Sequence, residues 1–262
     1  MTENPQAQPA IAIIGMSCHF PGAATPDEFW QNLVAGKGRI TRIPALGLVG
    51  SDPFDASLLG IGPDEAELME PQRRAFLECA RDALEDAGYD PENCLGRISV
   101  FTEAACAIGQ AVDALLAHRC DLALTNGVAI DESCSVVLLK RLGEAVADRD
   151  PILAVMATDG SPEAHLVLGD PPPPLPTTAG RGQQLITLSA RTPAALAALS
   201  IRLADHLDTG SPDLADVSHT LTGRRTFPHR RTVIAAGLAE ASAKLRQEDG
   251  STLAPATAPR VA

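Results

Sequence analysis

Residues 11–22 read Ile11-Ala12-Ile13-Ile14-Gly15-Met16-Ser17-Cys18-His19-Phe20-Pro21-Gly22. The first four are apolar and the run ends at a glycine, a pattern that predicts a buried β-strand. Residues 1–10, which precede the strand, are expected to form a flexible lead. The strand therefore opens the first folded domain.

Strands and helices alternate after this strand. Apolar spacing predicts helices over 25–36, 64–88 and 103–118, a helical turn over 143–147, and strands over 98–101, 121–128, 136–140 and 152–156. Pro71 suits a first helical turn, and Gly88 is a termination signal. The alternation predicts an α/β layered core over residues 11–169.

Four consecutive prolines at 171–174 mark a domain boundary, because proline cannot join the interior of a helix or a sheet. We assign residues 170–184 to a Pro-rich linker. Beyond it, strands over 185–189 and 233–236 and helices over 193–207, 214–221 and 239–245 predict a small α/β domain spanning 185–249. Residues 250–262 are rich in Pro, Ala and Thr, which predicts a disordered tail.

Composition disfavours several classes of protein. The 262 residues are 45% apolar, which is enough for a core. A net charge of -12 disfavours nucleic acid and anionic membrane as partners, because the summed field repels both. The sequence has neither a membrane-length apolar run nor a secretory leader pattern, so we expect a cytoplasmic protein.

Six cysteines, at positions 18, 79, 94, 106, 120 and 134, show no CxxC spacing and no dense disulfide pattern. Reduced thiols are therefore expected. No ligand pair stands at zinc spacing, and Gly15 with Gly22 matches neither dinucleotide nor P-loop spacing. The sequence predicts no metal and no cofactor.

Further segments extend the pattern of residues 11–22. They are Phe54-Asp55-Ala56, Glu65-Ala66-Glu67-Leu68-Met69-Glu70-Pro71-Gln72-Arg73-Arg74, Ala83-Leu84-Glu85-Asp86-Ala87-Gly88-Tyr89 and Gly96-Arg97-Ile98-Ser99-Val100-Phe101. Together these residues closely resemble the N-terminal third of the ketosynthase domain of a modular type I polyketide synthase. The resemblance implies a partial thiolase-like layered core.

Later segments resemble the same family with intervening stretches missing. Cys120-Asp121-Leu122-Ala123-Leu124 and Leu139-Lys140-Arg141-Leu142 resemble internal strands of the domain, and Glu163-Ala164-His165-Leu166-Val167-Leu168 resembles its final strand. Residues 185–236 resemble the α/β linker that joins ketosynthase to acyltransferase. The resemblance thus implies a ketosynthase with three internal deletions, followed by a small α/β linker domain.

The resemblance implies that the missing stretches are those that hold the catalytic residues of the family. A working ketosynthase uses a cysteine in a Thr-Ala-Cys-Ser-Ser context and two histidines, one from a His-Gly-Thr-Gly-Thr loop and one from an Asn-x-Gly-His loop. Counting back from Cys120 places the nucleophile position near Phe101, inside a junction, and the sequence contains neither histidine loop. His165 falls in the closing strand and is interpreted as structural.

Cys106 is the one candidate for a replacement nucleophile. It follows Thr102-Glu103-Ala104-Ala105 near a predicted helix start, where the helix dipole could lower the pKa of its thiol. The alternative is a small buried core residue, and the nearby Glu103 opposes a thiolate. Cys134 lies between carboxylates just before a strand, and turn or core packing is the favoured interpretation for it.

Arg224, Arg225, Arg230 and Arg231 form a basic cluster in an acidic chain. One hypothesis is that they bind the acidic helix of an acyl carrier protein, since complementary charge speeds encounter. The favoured alternative is that they are solvated or form intramolecular pairs, as basic residues of the linker domains that this segment resembles do.

These observations lead to one preferred hypothesis. The chain is expected to be a catalytically inactive, truncated ketosynthase that acts as a scaffold, positioning an acyltransferase, an acyl carrier protein or a trans-acting enzyme. The alternative is an acyltransferase or loading domain of altered chemistry that uses Cys106 as acyl acceptor. A remnant without independent function is a third interpretation. Because the strand through which the family dimerises falls within a deletion, a homodimer is left open.

Overall fold

The computed structural model describes residues 10–20, 22–23, 25–36, 55–102, 107–126, 134–158, 166–173 and 182–247. The chain divides into two compact units, Met1–Pro174 and Leu175–Ala262. The predictions for Cys106, for His165, for residues 1–9 and for the tail 250–262 lie outside the described residues.

In the first unit the described strands are β1 (Ile11–His19), β2 (Ile98–Phe101), β3 (Leu122–Asn126), β4 (Cys134–Arg141), β5 (Ala154–Thr158) and β6 (Leu166–Gly169). The described helices are α1 (Pro26–Val34), α2 (Pro63–Leu68), α3 (Pro71–Asp86), α4 (Ala107–Leu116) and α5 (Leu142–Asp148), with a 3-10 helix at Ala56–Leu59. The second unit contains β7 (Gln184–Ala190), α6 (Pro193–Thr209), α7 (Leu214–Thr222), β8 (His229–Ala235) and α8 (Leu238–Arg246).

Six strands of the first unit form one sheet in the order β2-β3-β4-β1-β5-β6. β1 runs antiparallel to β4 on one side and to β5 on the other. β2 and β3 are parallel, whereas β3–β4 and β5–β6 are antiparallel. The strand quoted at the start of the chain therefore lies inside the sheet, with neighbours on both sides.

Both faces of β1 are buried. Ala12 and Ile14 belong to a cluster that includes the inner face of α3, whereas Ile11 and Ile13 belong to a second cluster that includes α4. None of these four side chains is more than 9% exposed. The side chains alternate between the two faces up to Ile14, and the register shift between Ile13 and Gly15 then turns Gly15 to the α3 side as well.

α3 approaches the backbone of β1 closely at Gly15. A Cβ atom at this position would lie 2.3 Å from the carbonyl oxygen of Ala83 and 3.0 Å from the Cβ of Ala87. The end of the helix is also fixed to the strand, because the backbone N–H of Met16 donates to Asp86 Oδ2 at 3.0 Å. Glycine is thus required by space, not by an unusual φ angle.

A buried ionic cluster lies beside this contact, at Lys140 of β4. The Lys140 Nζ donates to Asp150 Oδ2 at 2.6 Å, to Asp148 Oδ2 at 2.5 Å and to the Tyr89 hydroxyl at 2.7 Å. Tyr89 in turn donates to Asp150 Oδ1 at 2.8 Å. Burial alone lowers the pKa of Lys140, but these hydrogen bonds outweigh it and raise the pKa, so the buried lysine is charged. The cluster ties the end of α3 to β4 and the turn after α5.

Arg141, the next residue, serves the opposite face of the sheet. Its guanidinium donates to the carbonyl oxygens of Leu115 (2.6 Å) and Cys120 (2.7 Å), which end α4 and precede β3. It also pairs with Glu144 at 2.6 Å and Asp121 at 3.1 Å. A cation at a helix C-terminus satisfies carbonyl groups that have no helical partner.

The second unit is a two-stranded antiparallel sheet, β7–β8, with helices on one face. Its inward side chains form a separate core with α6, α7 and α8, comprising Ile186, Leu188, Ala190, Leu196, Ala204, Leu207, Leu214, Val233, Ala235, Ala241 and Leu245. Thr192 caps α6, since its Oγ1 accepts from the backbone N–H of Ala195 at 3.1 Å. Each unit thus has its own core.

The predicted elements exist in the described ranges, with changes at their ends. The region predicted as helical over 64–88 is divided into α2 and α3, because Pro71 holds Glu70 in an extended conformation with φ -60° and ψ 142°. The strand predicted over 152–156 begins at Ala154, although the backbone N–H of Leu153 still donates to the carbonyl of Ile13. Within the described ranges, the helices are too short or too polar to cross a membrane.

Replacing Gly15 by alanine tests the close approach of α3 to β1. We expect Gly15→Ala to lower the free energy of unfolding by about 3 kcal/mol, because overpacking against a backbone carbonyl forces the helix away from the strand. Guanidinium titration followed by circular dichroism measures this change.

Gly109→Ala in α4 is the matched control, because no atom lies within 4 Å of a Cβ at that position. We expect this variant to be more stable by about 0.5–1 kcal/mol, since alanine favours a helix interior. Equal stability changes in the two variants would contradict a sterically required glycine at Gly15.

Candidate functional site

Two sets of side chains have the chemistry of a functional site in the described part of the chain. The first is a thiol cluster between α3, β1 and β4, made of Ser17, Cys79 and Cys134. The second is the arginine set of the second unit. Cys106, the sequence-predicted candidate nucleophile, lies outside the described residues, so its role stays a prediction.

The thiol cluster is assembled by strand register and helix packing. β1 and β4 pair so that Ser17 lies opposite Val136 and His19 lies opposite Cys134. Alternation along β4 turns Cys134 to the same face as Val136 and Leu138, against α3. Cys79 meets this face from α3 and is fully buried, whereas Cys134 is partly exposed.

A chain of hydrogen bonds connects the three side chains. Ser17 bonds to the Cys79 sulfur, and the Cys79 thiol donates to Cys134. The bond from Cys79 lowers the pKa of Cys134, against burial and the carboxylate of Glu78, which both raise it. The pKa of Cys79 is raised by the same hydrogen bond and by burial. The cluster therefore favours a thiolate on Cys134 and a protonated thiol on Cys79.

The other buried thiols are held in their protonated form. Burial raises the pKa of Cys18 to about 11, with a smaller contribution from Cys134. Burial also raises the pKa of Cys120. Because the thiolate is the nucleophile, neither group is activated at neutral pH.

Cys134 packs against the apolar cluster between α3 and β4, in agreement with the core packing that the sequence favours for it, and its hydrogen bond with Cys79 adds to that packing. The helical spacing of Phe76, Cys79, Ala80 and Ala83 marks Cys79 as inward-facing. It gives no information about which strand the thiol meets, since Cys134 is 55 positions later in the chain. In the described ranges no three His, Cys, Asp or Glu side chains are grouped to hold a metal ion.

The four arginines lie in different settings. Arg231 is opposite the buried Leu188 and points to the helix side, where it donates to the carbonyl oxygens of Lys244 (2.8 Å) and Gln247 at the end of α8. The Arg225 guanidinium lies 5.4 Å from the centre of the Phe227 ring. Both side chains thus make contacts within the second unit.

Arg230 and Arg224 are more exposed. Arg230 pairs with Ser189 on the opposite face of the sheet from Arg231, and its Nε donates to the Phe227 carbonyl at 3.1 Å. Arg224 follows the C-terminus of α7. Alternation along β8 therefore separates Arg230 from Arg231, and the four side chains do not share one face.

Arg230 lies on a face of the β7–β8 sheet opposite its helices, which we call the outer face. The outer face comprises Leu185, Thr187 and Ser189 of β7 with Arg230, Thr232 and Ile234 of β8. Leu185 is 47% and Ile234 is 51% exposed. Side chains close the two strand edges here, because Ser218 Oγ donates to the Leu185 carbonyl (2.6 Å) and Lys244 Nζ to the Ile234 carbonyl (2.8 Å).

Two family models match separate parts of the chain. Residues 8–105 match the N-terminal domain of beta-ketoacyl synthases. Residues 184–245 match the CurL-like C-terminal segment of polyketide synthases. The first match includes β1 and α3, and the second spans the two-stranded sheet and its helices.

Curated relatives are large polyketide synthases. A phenolphthiocerol/phthiocerol polyketide synthase of Mycobacterium tuberculosis is 34% identical over 183 residues, which span 58% of this chain and 12% of that protein. An erythronolide synthase of Saccharopolyspora erythraea is 41% identical over 107 residues, 35% of this chain and 3% of that protein. The chain thus corresponds to a small share of each relative.

Solved ketosynthases have the same fold. The ketosynthase from module 6 of the bacillaene synthase of Bacillus subtilis aligns with a TM-score of 0.71 at 18% identity, over 90% of this chain and 83% of that one. An oxazolomycin ketosynthase domain of Streptomyces albus aligns with a TM-score of 0.75 at 15% identity, over 90% and 87% of the two chains. The α/β core predicted as thiolase-like is confirmed. The chain thus combines a segment that matches the N-terminal domain of beta-ketoacyl synthases with one that matches the C-terminal segment of polyketide synthases, as its resemblance to a truncated ketosynthase predicts.

Proposed function

We propose that this chain is a non-catalytic ketosynthase that acts as a structural or protein-interaction scaffold in a polyketide synthase assembly line. Its partners would be an acyl carrier protein, an acyltransferase or a trans-acting enzyme of the same line. The observation that carries the proposal is the packing of β1, whose two faces are filled by apolar side chains from α3 and α4.

This packing supports a structural role because condensation needs an accessible nucleophile, a base within hydrogen-bond reach and donors for an oxyanion. Three thiols near β1, those of Cys18, Cys79 and Cys120, are buried and have raised pKa values. The sequence also lacks both histidine loops of the family. A core closed in this way is stable without holding a substrate.

The outer face of the second unit supports a binding role. Leu185 and Ile234 present exposed apolar surface, and Arg230 adds a positive charge beside it. An apolar patch edged by a cation suits an acidic partner with an apolar contact, such as an acyl carrier protein. The chain carries a net charge of -12, so an acidic partner would have to be attracted locally by such cations.

A second candidate function is acyl transfer by a cysteine, as expected if Cys106 is an acyl acceptor. One described observation favours this class of chemistry without involving Cys106. Cys134 has a lowered pKa and lies opposite His19 in the strand register. A thiol with a lowered pKa is the kind of group that nucleophilic catalysis uses.

Acylation and condensation assays separate these functions. We expect no carbon–carbon bond formation and no cysteine acylation when the protein is incubated with acyl N-acetylcysteamine thioesters and malonyl-loaded carrier protein. Intact-mass analysis and product extraction measure both outcomes.

Three cysteine variants make the assay specific. An acyl adduct that disappears in Cys106→Ser but persists in Cys134→Ser and Cys94→Ser would establish the acyl-acceptor function and contradict the scaffold. An adduct lost only in Cys134→Ser would place the same chemistry on the thiol cluster. A β-ketoacyl product would exclude a non-catalytic role altogether.

Binding of the partner is tested by charge reversal. We expect a carrier protein or acyltransferase from the same assembly line to bind the wild-type chain, and Arg224→Glu/Arg230→Glu to weaken the carrier interaction about tenfold, which corresponds to ~1.4 kcal/mol. Isothermal titration at low and moderate salt measures the change, which should shrink as salt screens the charges.

The matched control is Arg119→Glu/Arg202→Glu, which makes the same change of net charge at two other exposed arginines. This variant should bind as the wild type does. Equal weakening by both double variants would show a general charge effect, and failure of the wild type to bind any of the partners would contradict the scaffold function.

A further inference from the structure

The pair Cys79 and Cys134 has a chemistry of its own, separate from polyketide assembly. We propose that these two residues are a dithiol oxidation site, at which a hydroperoxide converts the two thiols into a reversible disulfide between α3 and β4. This inference does not depend on the scaffold function, because it concerns the fold that both candidate functions share.

Geometry brings the two sulfur atoms together. α3 packs on β1 and β4, and this packing forms a cluster in which Cys79 is buried and against which Cys134 packs. Their thiols are joined by a hydrogen bond. Contact between sulfur atoms on facing elements is the precondition for a disulfide, whose Cβ atoms are about 3.5–4.5 Å apart. Both residues are free thiols in the structure.

Cys134 and Cys79 differ in their exposure to solvent, and this difference sets the order in which they react. Cys134 is partly exposed at the start of β4, whereas Cys79 is 0% exposed on the inner face of α3. An oxidant from solvent therefore reaches Cys134 first. Cys79 supplies a second thiol that solvent cannot reach and that is already in contact with the first.

The pKa shifts of the two thiols also favour oxidation of Cys134 before Cys79. The hydrogen bond from Cys79 lowers the pKa of Cys134, which favours the thiolate that attacks a peroxide. Glu78 opposes the thiolate on Cys134, and Asp82 raises the pKa of Cys79. Ser17 bonds to Cys79 from β1, so the donor chain runs from Ser17 through Cys79 to Cys134.

The reaction has two steps. The Cys134 thiolate attacks one oxygen of the hydroperoxide, the O–O bond breaks, and the leaving alkoxide takes a proton to become an alcohol, or water from hydrogen peroxide. Cys134 is then a sulfenic acid. The Cys79 sulfur attacks the Cys134 sulfur, the S–O bond breaks, and the departing hydroxide combines with the Cys79 proton as water. In total, two thiols and one hydroperoxide give one disulfide, one alcohol and one water.

Other described cysteines are placed less well for this reaction. Cys18 pairs with Ser135, so alternation turns it to the face of the sheet opposite Cys134. Cys120 belongs to the cluster on the α4 side. The Cys94 thiol donates to the Gly96 carbonyl at 3.8 Å instead of to another sulfur atom.

Peptide mapping of the oxidised wild-type protein tests the proposal. The full chain, reduced and freed of reductant, is treated with a small molar excess of hydrogen peroxide at neutral pH. We expect its mass to fall by two hydrogen atoms, and dithiothreitol to restore it. After trypsin digestion, the fragment 75–81 should be linked to the fragment 120–140, and fragmentation must assign the link to Cys134, since this peptide also contains Cys120.

Variants test the order of the steps. In Cys79→Ser the reaction should stop at the sulfenic acid of Cys134, which dimedone traps. In Cys134→Ser neither the disulfide nor a dimedone adduct on Cys79 should form. Cys94→Ser, a matched control in the same cluster, should form the disulfide at the wild-type yield, and circular dichroism of each variant confirms folding.

Several results would overturn the proposal. A link through Cys18, Cys106 or Cys120, overoxidation of Cys134 without a link, or no oxidation at all would each do so. An equal yield of the Cys79–Cys134 link in urea-unfolded protein would also contradict it, since the folded contact would then contribute nothing.

Discussion

The close approach of α3 to β1 at Gly15 is the constraint on which the first unit depends. The helix can lie directly on the strand only because the strand has no side chain there, and a Cβ would meet the Ala83 carbonyl at 2.3 Å. This contact fixes the position of α3 on the strand. The middle of the helix then carries Cys79 to Ser17 and Cys134, and the turn after its C-terminus carries Tyr89 to Lys140 and Asp150. The apolar cluster, the thiol cluster and the buried ionic cluster thus all depend on the position of α3 against β1.

Local features of this arrangement can be predicted from the sequence, because they depend on nearby residues. The apolar run at Ile11, the helical spacing of α3 and the stop at Gly88 give elements close to those observed. The division between α2 and α3 is also local in origin, since Pro71 restricts the residue before it. The resemblance of residues 11–22 to ketosynthases gave the thiolase-like architecture, which composition and periodicity alone would leave as a general α/β core.

Non-local features need the three-dimensional structure. The order β4-β1-β5 joins strands that are distant in the chain, and the contact between Cys79 and Cys134 depends on that order together with helix packing. Four neighbouring arginines suggested one basic patch, but strand alternation sends Arg230 and Arg231 to opposite faces. The charge of the buried Lys140 depends on Asp148 and Asp150, whose side chains meet it only after β4 and α5 are packed.

The segment that matches beta-ketoacyl synthases contains β1, the strand around which the sheet of the first unit is built. The chain keeps the ketosynthase strand that organises the sheet, and it fills both faces of that strand with its own alanine, leucine, isoleucine and valine side chains. The thiol cluster lies within the same core, so a change in its oxidation state would affect the stability of the first unit.

Hydrogen–deuterium exchange along β1 tests the central claim most directly, namely that the shortened chain folds around this strand. The account predicts that peptides containing Ile11–Gly15 and Leu138–Lys140 exchange slowest in the first unit, at a rate set by global unfolding. Exchange of these peptides as fast as that of α1, a helix without buried residues, would contradict it.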